Sequence, residues 1–567
     1  MSSSSSSPNP KRLKLDLPSP LRSLSSLQCD VSPPLLAEGT ASDPTAFDRD
    51  RDPLTDLPRL APSESKAPQQ VVDLTADAPG AKDLSGSGSK PEAPTPTTAL
   101  TSSSPFRLTR IRDLPNSENR DTVGVEEILG DVMLRAVWLF NYMHEIPWVL
   151  DQLDEDIKDH VEVNFVHGNW KADDGTRLTM EACFLALAVL TSQAMAKDHP
   201  NVRLVAAYMP EAFGTHHTKI MVLFRADDTA QVVIHTANMI SFDWTNMTQA
   251  AWISPLLPLA KDSQPPSPVG ETFKKDLLEY FSFYGKARTG RLVDQLRKYS
   301  FSAVKAIFIG SVPGRHRVSE AKWGWPKLRK VLRTIPASSP DKRPKIMAQC
   351  SSIATLGQNN TWLNPVLFSA LSATATKDAK KPEFGIIFPT VQEIRDSLNG
   401  YASGSSIHLR TASAQQQKQL SYLKPLLHHW SSADDATRAG RDLAAPHIKT
   451  YIRFSEDPAG ADTNIDWALV TSANLSTQAW GAAEKDGTVR ICSYEAGVLV
   501  HPGLWGQGVE LKPAFLKDER TQDNGGRVVP LRMPYSLPVR KHDAKEEVWC
   551  VDKQWREVDW LGRSYAA

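Results

Sequence analysis

One phrase occurs twice in this chain of 567 residues. His217-Thr218-Lys219 leads to Val232-Val233-Ile234-His235-Thr236-Ala237-Asn238, and His447-Ile448-Lys449 leads to Ala468-Leu469-Val470-Thr471-Ser472-Ala473-Asn474. On a strand, residues two apart share a face, so each His and its Lys point the same way. The run Ile220-Met221-Val222-Leu223-Phe224 that follows the first pair is continuously apolar. That is the pattern of a central strand buried on both faces, which would hold the pair rigidly. The repetition restricts the fold. It calls for two like halves, each carrying one His, one Lys and one Asn, facing each other across a single site.

The rest of the chain fits that division. Strands are predicted at 161–166, 202–208, 219–224 and 232–234, with helices at 180–194 and 272–283. A second set of strands is predicted at 304–310, 385–388, 449–454 and 466–471. Strands alternating with helices indicate an α/β fold. The folded part divides near residue 300 into two similar α/β domains, 106–300 and 301–567, packed as a pseudo-symmetric pair. Residues 260–270, 336–345 and 431–442 read as loops or insertions. Residues 1–105 are rich in Ser, Pro and Asp and poor in aromatics. Such a segment buries too little apolar surface to offset its ordering entropy, so it is expected to be a disordered tail. Two islands interrupt it. Pro10-Lys11-Arg12-Leu13-Lys14-Leu15-Asp16 resembles a nuclear import signal, against the alternative of a solvated charge cluster. Val71-Val72-Asp73-Leu74-Thr75 resembles a SUMO-interacting motif, a short run able to add a strand to a partner's sheet edge, against the alternative of a chance apolar island.

Lys and Arg number 65, as do Asp and Glu, so net charge does not advertise nucleic acid, although an average can conceal a local basic groove. The five cysteines, Cys29, Cys183, Cys350, Cys492 and Cys550, are scattered and form no CxxC pair. Neither a disulfide framework nor a zinc site is expected, and a reducing compartment fits. The N-terminus has no apolar signal-peptide core, and the apolar run at 183–190 is too short to span a bilayer. A soluble intracellular protein is expected.

Two lysines and two asparagines converging on one point would neutralise and hydrogen-bond a phosphate. They would supply the charge stabilisation that a divalent cation provides in other phosphodiester chemistry, so no cofactor is expected. Asn474 precedes Leu475-Ser476-Thr477, read as a helix start whose N–H groups favour an anion. Two histidines permit a division of labour. One attacks phosphorus and the other donates a proton to the leaving oxygen, then activates water. Their pKa values should be pushed apart, giving a bell-shaped pH profile. Gln249 and Glu495 are candidates to orient the imidazoles. His216 reads as structural because it has no Lys two residues on, and His167 and His235 read as ordinary strand-end residues.

These phrases resemble the phospholipase D superfamily, whose signature is HxK, four residues, then Asp. Phe224 and Phe454 occupy the Asp positions here. That departure matches the tyrosyl-DNA phosphodiesterase branch, as do Gly214-Thr215-His216-His217-Thr218-Lys219, Thr471-Ser472-Ala473-Asn474-Leu475-Ser476, Ser493-Tyr494-Glu495-Ala496-Gly497 and Cys350-Ser351-Ser352-Ile353. The resemblance spans roughly residues 105 to 555. It implies two phospholipase D-like domains and a nuclear, monomeric DNA repair enzyme that hydrolyses the bond between a 3′ DNA end and the tyrosine of a stalled type IB topoisomerase. Its partners would be DNA with a blocked 3′ end and a topoisomerase I-derived peptide. By the same resemblance His217 is the nucleophile and His447 the general acid and base. Lys219, Lys449, Asn238 and Asn474 bind the phosphate, supported by Gln249 and Glu495. Phe213 is a base-stacking candidate beside the alternative of a core aromatic, Ser351 and Ser352 are backbone-phosphate candidates, and Tyr142 is a further DNA contact. Trp549 lies near a C-terminal tryptophan of the family, with a core role as the alternative. Two other readings stand beside this one: a lipid or general nuclease of the superfamily, and a catalytically inert module that protects DNA ends.

Overall fold

The computed structural model describes residues 103–169, 201–211, 213–261, 266–431, 437–519 and 527–566. Both tail motifs and the helix predicted at 180–194 lie outside the described residues. Ser104 is buried, and its Oγ accepts from the N–H groups of Phe106 at 3.2 Å and Arg532 at 2.9 Å.

The first half supplies β1 (Arg107–Leu108), β2 (Leu134–Phe140), β3 (Glu162–His167), β4 (Val202–Ala206), β5 (Ile220–Arg225), β6 (Thr229–His235), β7 (Ala250–Ile253) and β8 (Leu257–Pro258). They form one sheet in the order β1-β7-β6-β5-β2-β3-β4, with β8 beside β6. The second half supplies β9 (Ile307–Ser311), β10 (Gly314–Arg317), β11 (Lys345–Gln349), β12 (Glu383–Ile387), β13 (Leu427–His428), β14 (Thr450–Phe454), β15 (Ile465–Thr471), β16 (Ala482–Ala483), β17 (Thr488–Ile491) and β18 (Glu495–Val500). Its large sheet runs β9-β18-β15-β14-β11-β12-β13, and β10, β17 and β16 make a small separate sheet.

The two large sheets correspond strand by strand. The pairs β2–β3 and β3–β4 are parallel, as are β11–β12 and β12–β13. The pairs β2–β5, β5–β6 and β6–β7 are antiparallel, as are β11–β14, β14–β15 and β15–β18. Each copy of the doubled phrase therefore stands at the same place: His and Lys just before a central strand, Asn just after its antiparallel neighbour.

Period-two alternation explains how these strands are covered on both sides. Trp138, Phe140, Val222 and Phe224 of the first sheet share one apolar layer with Ile452, Phe454, Val470 and Val498 of the second. The intervening residues face outward into layers of their own, Val137, Leu139, Met221 and Leu223 in one and Ile346, Ala348, Tyr451 and Leu469 in the other. Phe224 and Phe454, at the positions where the resembled signature carries Asp, are fully buried in the shared layer. An ionised carboxylate at either place would be expelled from an apolar environment.

Every predicted strand is present, with ends displaced by a few residues. The helix expected at 272–283 starts earlier, as Pro268–Ser282, and takes in part of the expected loop. Ser267 accepts from the Gly270 N–H and Pro268 occupies the first turn, a start that Ser-Pro favours because proline has no N–H to leave unpaired. Its stripe of Phe273, Leu277, Tyr280 and Phe281 is buried, with Phe281 stacked on Phe140 at 4.8 Å. Among the described residues no helix is long and apolar enough to cross a membrane.

Candidate active site

His217 and Lys219 lie in extended chain immediately ahead of β5, and the opposite half pins that chain. The His217 N–H donates to the Tyr494 carbonyl at 3.0 Å, and the Thr215 N–H donates to Ser493 Oγ at 3.1 Å. Gly214 permits the approach, since a Cβ there would lie 2.0 Å from the Cys492 carbonyl oxygen. The second pair is held in the same manner by the first half. The N–H groups of His447 and Ile448 donate to the Thr248 carbonyl at 3.1 and 2.9 Å.

The orienting partners also cross over. His217 Nδ1 is 2.9 Å from Glu495 Oε2, and His447 Nδ1 is 2.9 Å from Gln249 Nε2. With Nδ1 engaged, Nε2 is the nitrogen left for a substrate in each ring. Glu495 and Gln249 are in turn fixed by hydroxyls from the doubled phrase: Ser472 Oγ donates to Glu495 Oε2 at 2.5 Å, and Thr236 Oγ1 donates to Gln249 Oε1 at 2.7 Å. Each hydroxyl also accepts a backbone N–H, from Ala496 and Ala250, both at 3.0 Å. Thr236 and Ser472 were not singled out from the sequence, yet both directly precede Ala-Asn in the two phrases.

The two histidines differ in one respect. Asp243, completely buried, places Oδ2 3.1 Å from His447 Nδ1 and accepts the Asn238 N–H at 2.6 Å. A carboxylate there can take the Nδ1 proton of an imidazolium while Gln249 stays neutral. Nothing in residue spacing marked Asp243, because its role depends on the short helix Ser241–Thr245, which brings it back to the Asn238 N–H.

Asn238 Oδ1 is buried and has no hydrogen-bond partner among the described residues, as expected of a group awaiting a ligand. Asn474 Oδ1 accepts from the N–H groups of Ser351 at 3.1 Å and Ser352 at 3.0 Å, which turns its amide nitrogen the other way. The helix after Asn474 is a single turn, Thr477–Trp480, and Ser476 Oγ caps it by accepting from Ala479. Ser351 is buried beneath Asn474, while Ser352 is half-buried. Phe213 is 51% exposed, and the Tyr142 ring lies 5.9 Å from that of His217. Trp549 is core, its Nε1 donating to the Ile407 carbonyl at 2.9 Å. His216 is also buried, with Nδ1 3.0 Å from the Asn141 carbonyl and Nε2 2.9 Å from the Tyr284 hydroxyl.

Burial dominates the electrostatics. It lowers the Lys219 ammonium to about 8 against the support of Glu495 and Asp243. Burial and then the charge of Lys219 hold Lys449 well below its usual range. The His447 imidazole falls to about 4 through burial and Lys449, with Asp243 opposing. His217 is also lowered, by burial, with Glu495 opposing. For Asp243, burial acts to raise the pKa, but His447, the Asn238 N–H and Lys449 together bring it below the usual value. The expected separation of the two imidazoles therefore takes another form: both move downward in the free protein. Each also feels the charge of both lysines.

Burial has a consequence for stability. His144, His216 and His235 are each pushed down to about 3, chiefly by burial. The unfolded chain binds protons on these rings below pH ~6.5 while the native state stays neutral to pH ~3, so stability present above ~6.5 is lost as pH falls through that window. At pH 5 the loss is roughly 2 kcal/mol per residue. Thermal unfolding is expected at a clearly lower temperature at pH 5 than at pH 7. Equal midpoints would show that these rings are protonated in the native state.

A sequence model of the tyrosyl-DNA phosphodiesterase family matches residues 105–543. A probable tyrosyl-DNA phosphodiesterase of Schizosaccharomyces pombe is 32% identical over 538 residues, spanning 81% of this chain and 95% of that relative. Tyrosyl-DNA phosphodiesterase 1 of Arabidopsis thaliana is 30% identical over 500 residues, spanning 81% and 76%. A crystal structure of the yeast tyrosyl-DNA phosphodiesterase shares the fold, with a TM-score of 0.56 and 22% identity over 79% of this chain and 99% of that one. With the family model matching most of its length, the chain belongs to the tyrosyl-DNA phosphodiesterase family.

Proposed function

We propose that this phosphodiesterase hydrolyses the ester between a DNA 3′ phosphate and tyrosine, the adduct left by a stalled type IB topoisomerase, and acts on other 3′-end adducts as well. The observation that carries the reading is the crossed bracing of two imidazoles, His217 by Glu495 and His447 by Gln249 and Asp243, around Lys219 and Lys449.

In the first step His217 Nε2 attacks phosphorus. The bond to the tyrosine oxygen breaks, and His447 delivers a proton to that oxygen. Phenol has a pKa of about 10, so one imidazolium is a sufficient acid. In the second step His447 takes a proton from water, the water oxygen bonds to phosphorus, and His217 departs, leaving a 3′-phosphate. Lys219, Lys449, Asn238 and Asn474 bind the phosphate oxygens and carry the charge stabilisation. The low pKa of free His447 makes the substrate part of the acid. An anionic diester between the lysines offsets their repulsion, so the ring gains its proton as substrate binds, with Asp243 accepting Nδ1–H.

Phe213 supplies an exposed ring for stacking on a base, and Tyr142 and Ser352 are the further contacts to the DNA strand. Ser351 acts through Asn474. The tail's basic island directs the chain to the nucleus, and residues 71–75 engage SUMO.

The test is cleavage of a single-stranded oligonucleotide ending in 3′-phosphotyrosine, resolved on a gel. Conversion to the 3′-phosphate product is expected at an unchanged rate in excess EDTA. A chelator-sensitive rate in protein whose unfolding temperature the chelator leaves unchanged would reject catalysis by the side chains alone. Hydrolysis of phosphatidylcholine with no action on this oligonucleotide would move the chain to the lipid branch.

A further inference from the structure

We propose that Glu393, His429 and His542 form a binding site for a borderline transition-metal cation of the zinc class. Three separate segments supply them. Glu393 stands in the first turn of the helix Val391–Asp396, His429 directly follows β13, and His542 belongs to the C-terminal segment. One candidate ligand atom from each lies within 4.8 Å of the others.

The surroundings orient two of the three. Glu393 Oε2 is engaged by Thr390, accepting its N–H at 2.8 Å and its hydroxyl at 3.0 Å, which leaves Oε1 3.0 Å from His429 Nδ1. His429 Nε2 lies 3.0 Å from Glu546 Oε2. A carboxylate on the far nitrogen of a ligating histidine is the usual outer support of a metal site, since it fixes the tautomer that exposes Nδ1. Two imidazole nitrogens and one carboxylate oxygen suit zinc or its first-row neighbours, and not magnesium or calcium, which take oxygen ligands.

The independent observation is His542. Its ring centroid is 4.6 Å from that of His429, and neither of its buried nitrogens makes a hydrogen bond of good geometry, although the Phe388 carbonyl lies close enough to interact. A proton on His429 shared between Glu393 and Glu546 would account for His429 alone. It leaves His542 with no well-formed hydrogen bond at either ring nitrogen, which is costly. A shared cation accounts for both rings. It would also fasten the C-terminal segment to the sheet edge, where the His429 N–H donates to the Arg540 carbonyl at 2.9 Å and the His542 N–H to the Leu427 carbonyl at 3.1 Å. No spacing motif could reveal the set, because its members come together only through the fold.

The experiment uses full-length, tag-free protein stripped with chelator and exchanged into chelator-free buffer. Titration calorimetry with zinc chloride is expected to give one tight equivalent per chain and a zinc-dependent rise in unfolding temperature. Cobalt should give the visible absorption of a low-coordinate site. His542→Ala and Glu393→Gln should each weaken the tight equivalent by about tenfold or more and remove the rise. Their metal-free unfolding temperatures check that both variants fold, and Glu393→Gln keeps the Thr390 contacts should the loop variant fail. Absence of a stoichiometric equivalent in the native protein, or an equal affinity in a folded variant, overturns the proposal.

Discussion

His217→Ala is expected to reduce cleavage of a 3′-phosphotyrosyl oligonucleotide by about 10⁵-fold or more, because no other group takes over the attack on phosphorus. The loss should be chemical and not structural. His217 is 15% exposed at its side chain, so truncation opens no core cavity. Glu495, which it leaves behind, keeps its 2.5 Å bond from Ser472. Single-turnover cleavage measured beside a thermal melt separates the two causes. A folded variant that retains more than about a hundredth of the native rate would place the nucleophile elsewhere.

His447→Asn should affect the two halves of the reaction unequally. Departure of phenolate needs limited help, so the covalent step slows modestly. Attack of water needs a base, and losing it should slow the second step by roughly 10²–10⁴-fold. Covalent enzyme–DNA should therefore accumulate and survive denaturing electrophoresis as a shifted band that acid releases. Slow consumption of substrate with no such band would undo the two-step assignment and leave His447 as a phosphate ligand only.

Much of this site was legible in the chain because a strand carries chemistry in a fixed rhythm. His217 and Lys219, or His447 and Lys449, need only an extended backbone to share a face. The apolar runs behind them need only alternation to be buried on both sides. Groups that act across the fold were harder to read. Glu495 and Gln249 were recognisable as orienters, but their exchange between halves depends on how the sheets meet. Asp243 depends on the short helix that returns it to the Asn238 N–H. The helix start after Asn474 was legible for a related reason only in part: local pattern marks where a helix starts, not that it ends after one turn. Likewise Ser267-Pro268 was read as loop because both residues suit turns, whereas the chain uses them to begin a helix. Glu393, His429 and His542 were invisible as a set, since each is unremarkable in its own stretch of sequence.

The exchange of braces bears on what kind of duplication this chain embodies. Two similar repeats ordinarily imply two reaction centres, and one of them could be lost without harm to the other. Here each repeat withholds the support its own imidazole requires and lends it to its sibling. On the proposed mechanism the two would then share a single centre. Any drift that loosens either repeat disables both, which ties the fate of the duplicated copies together.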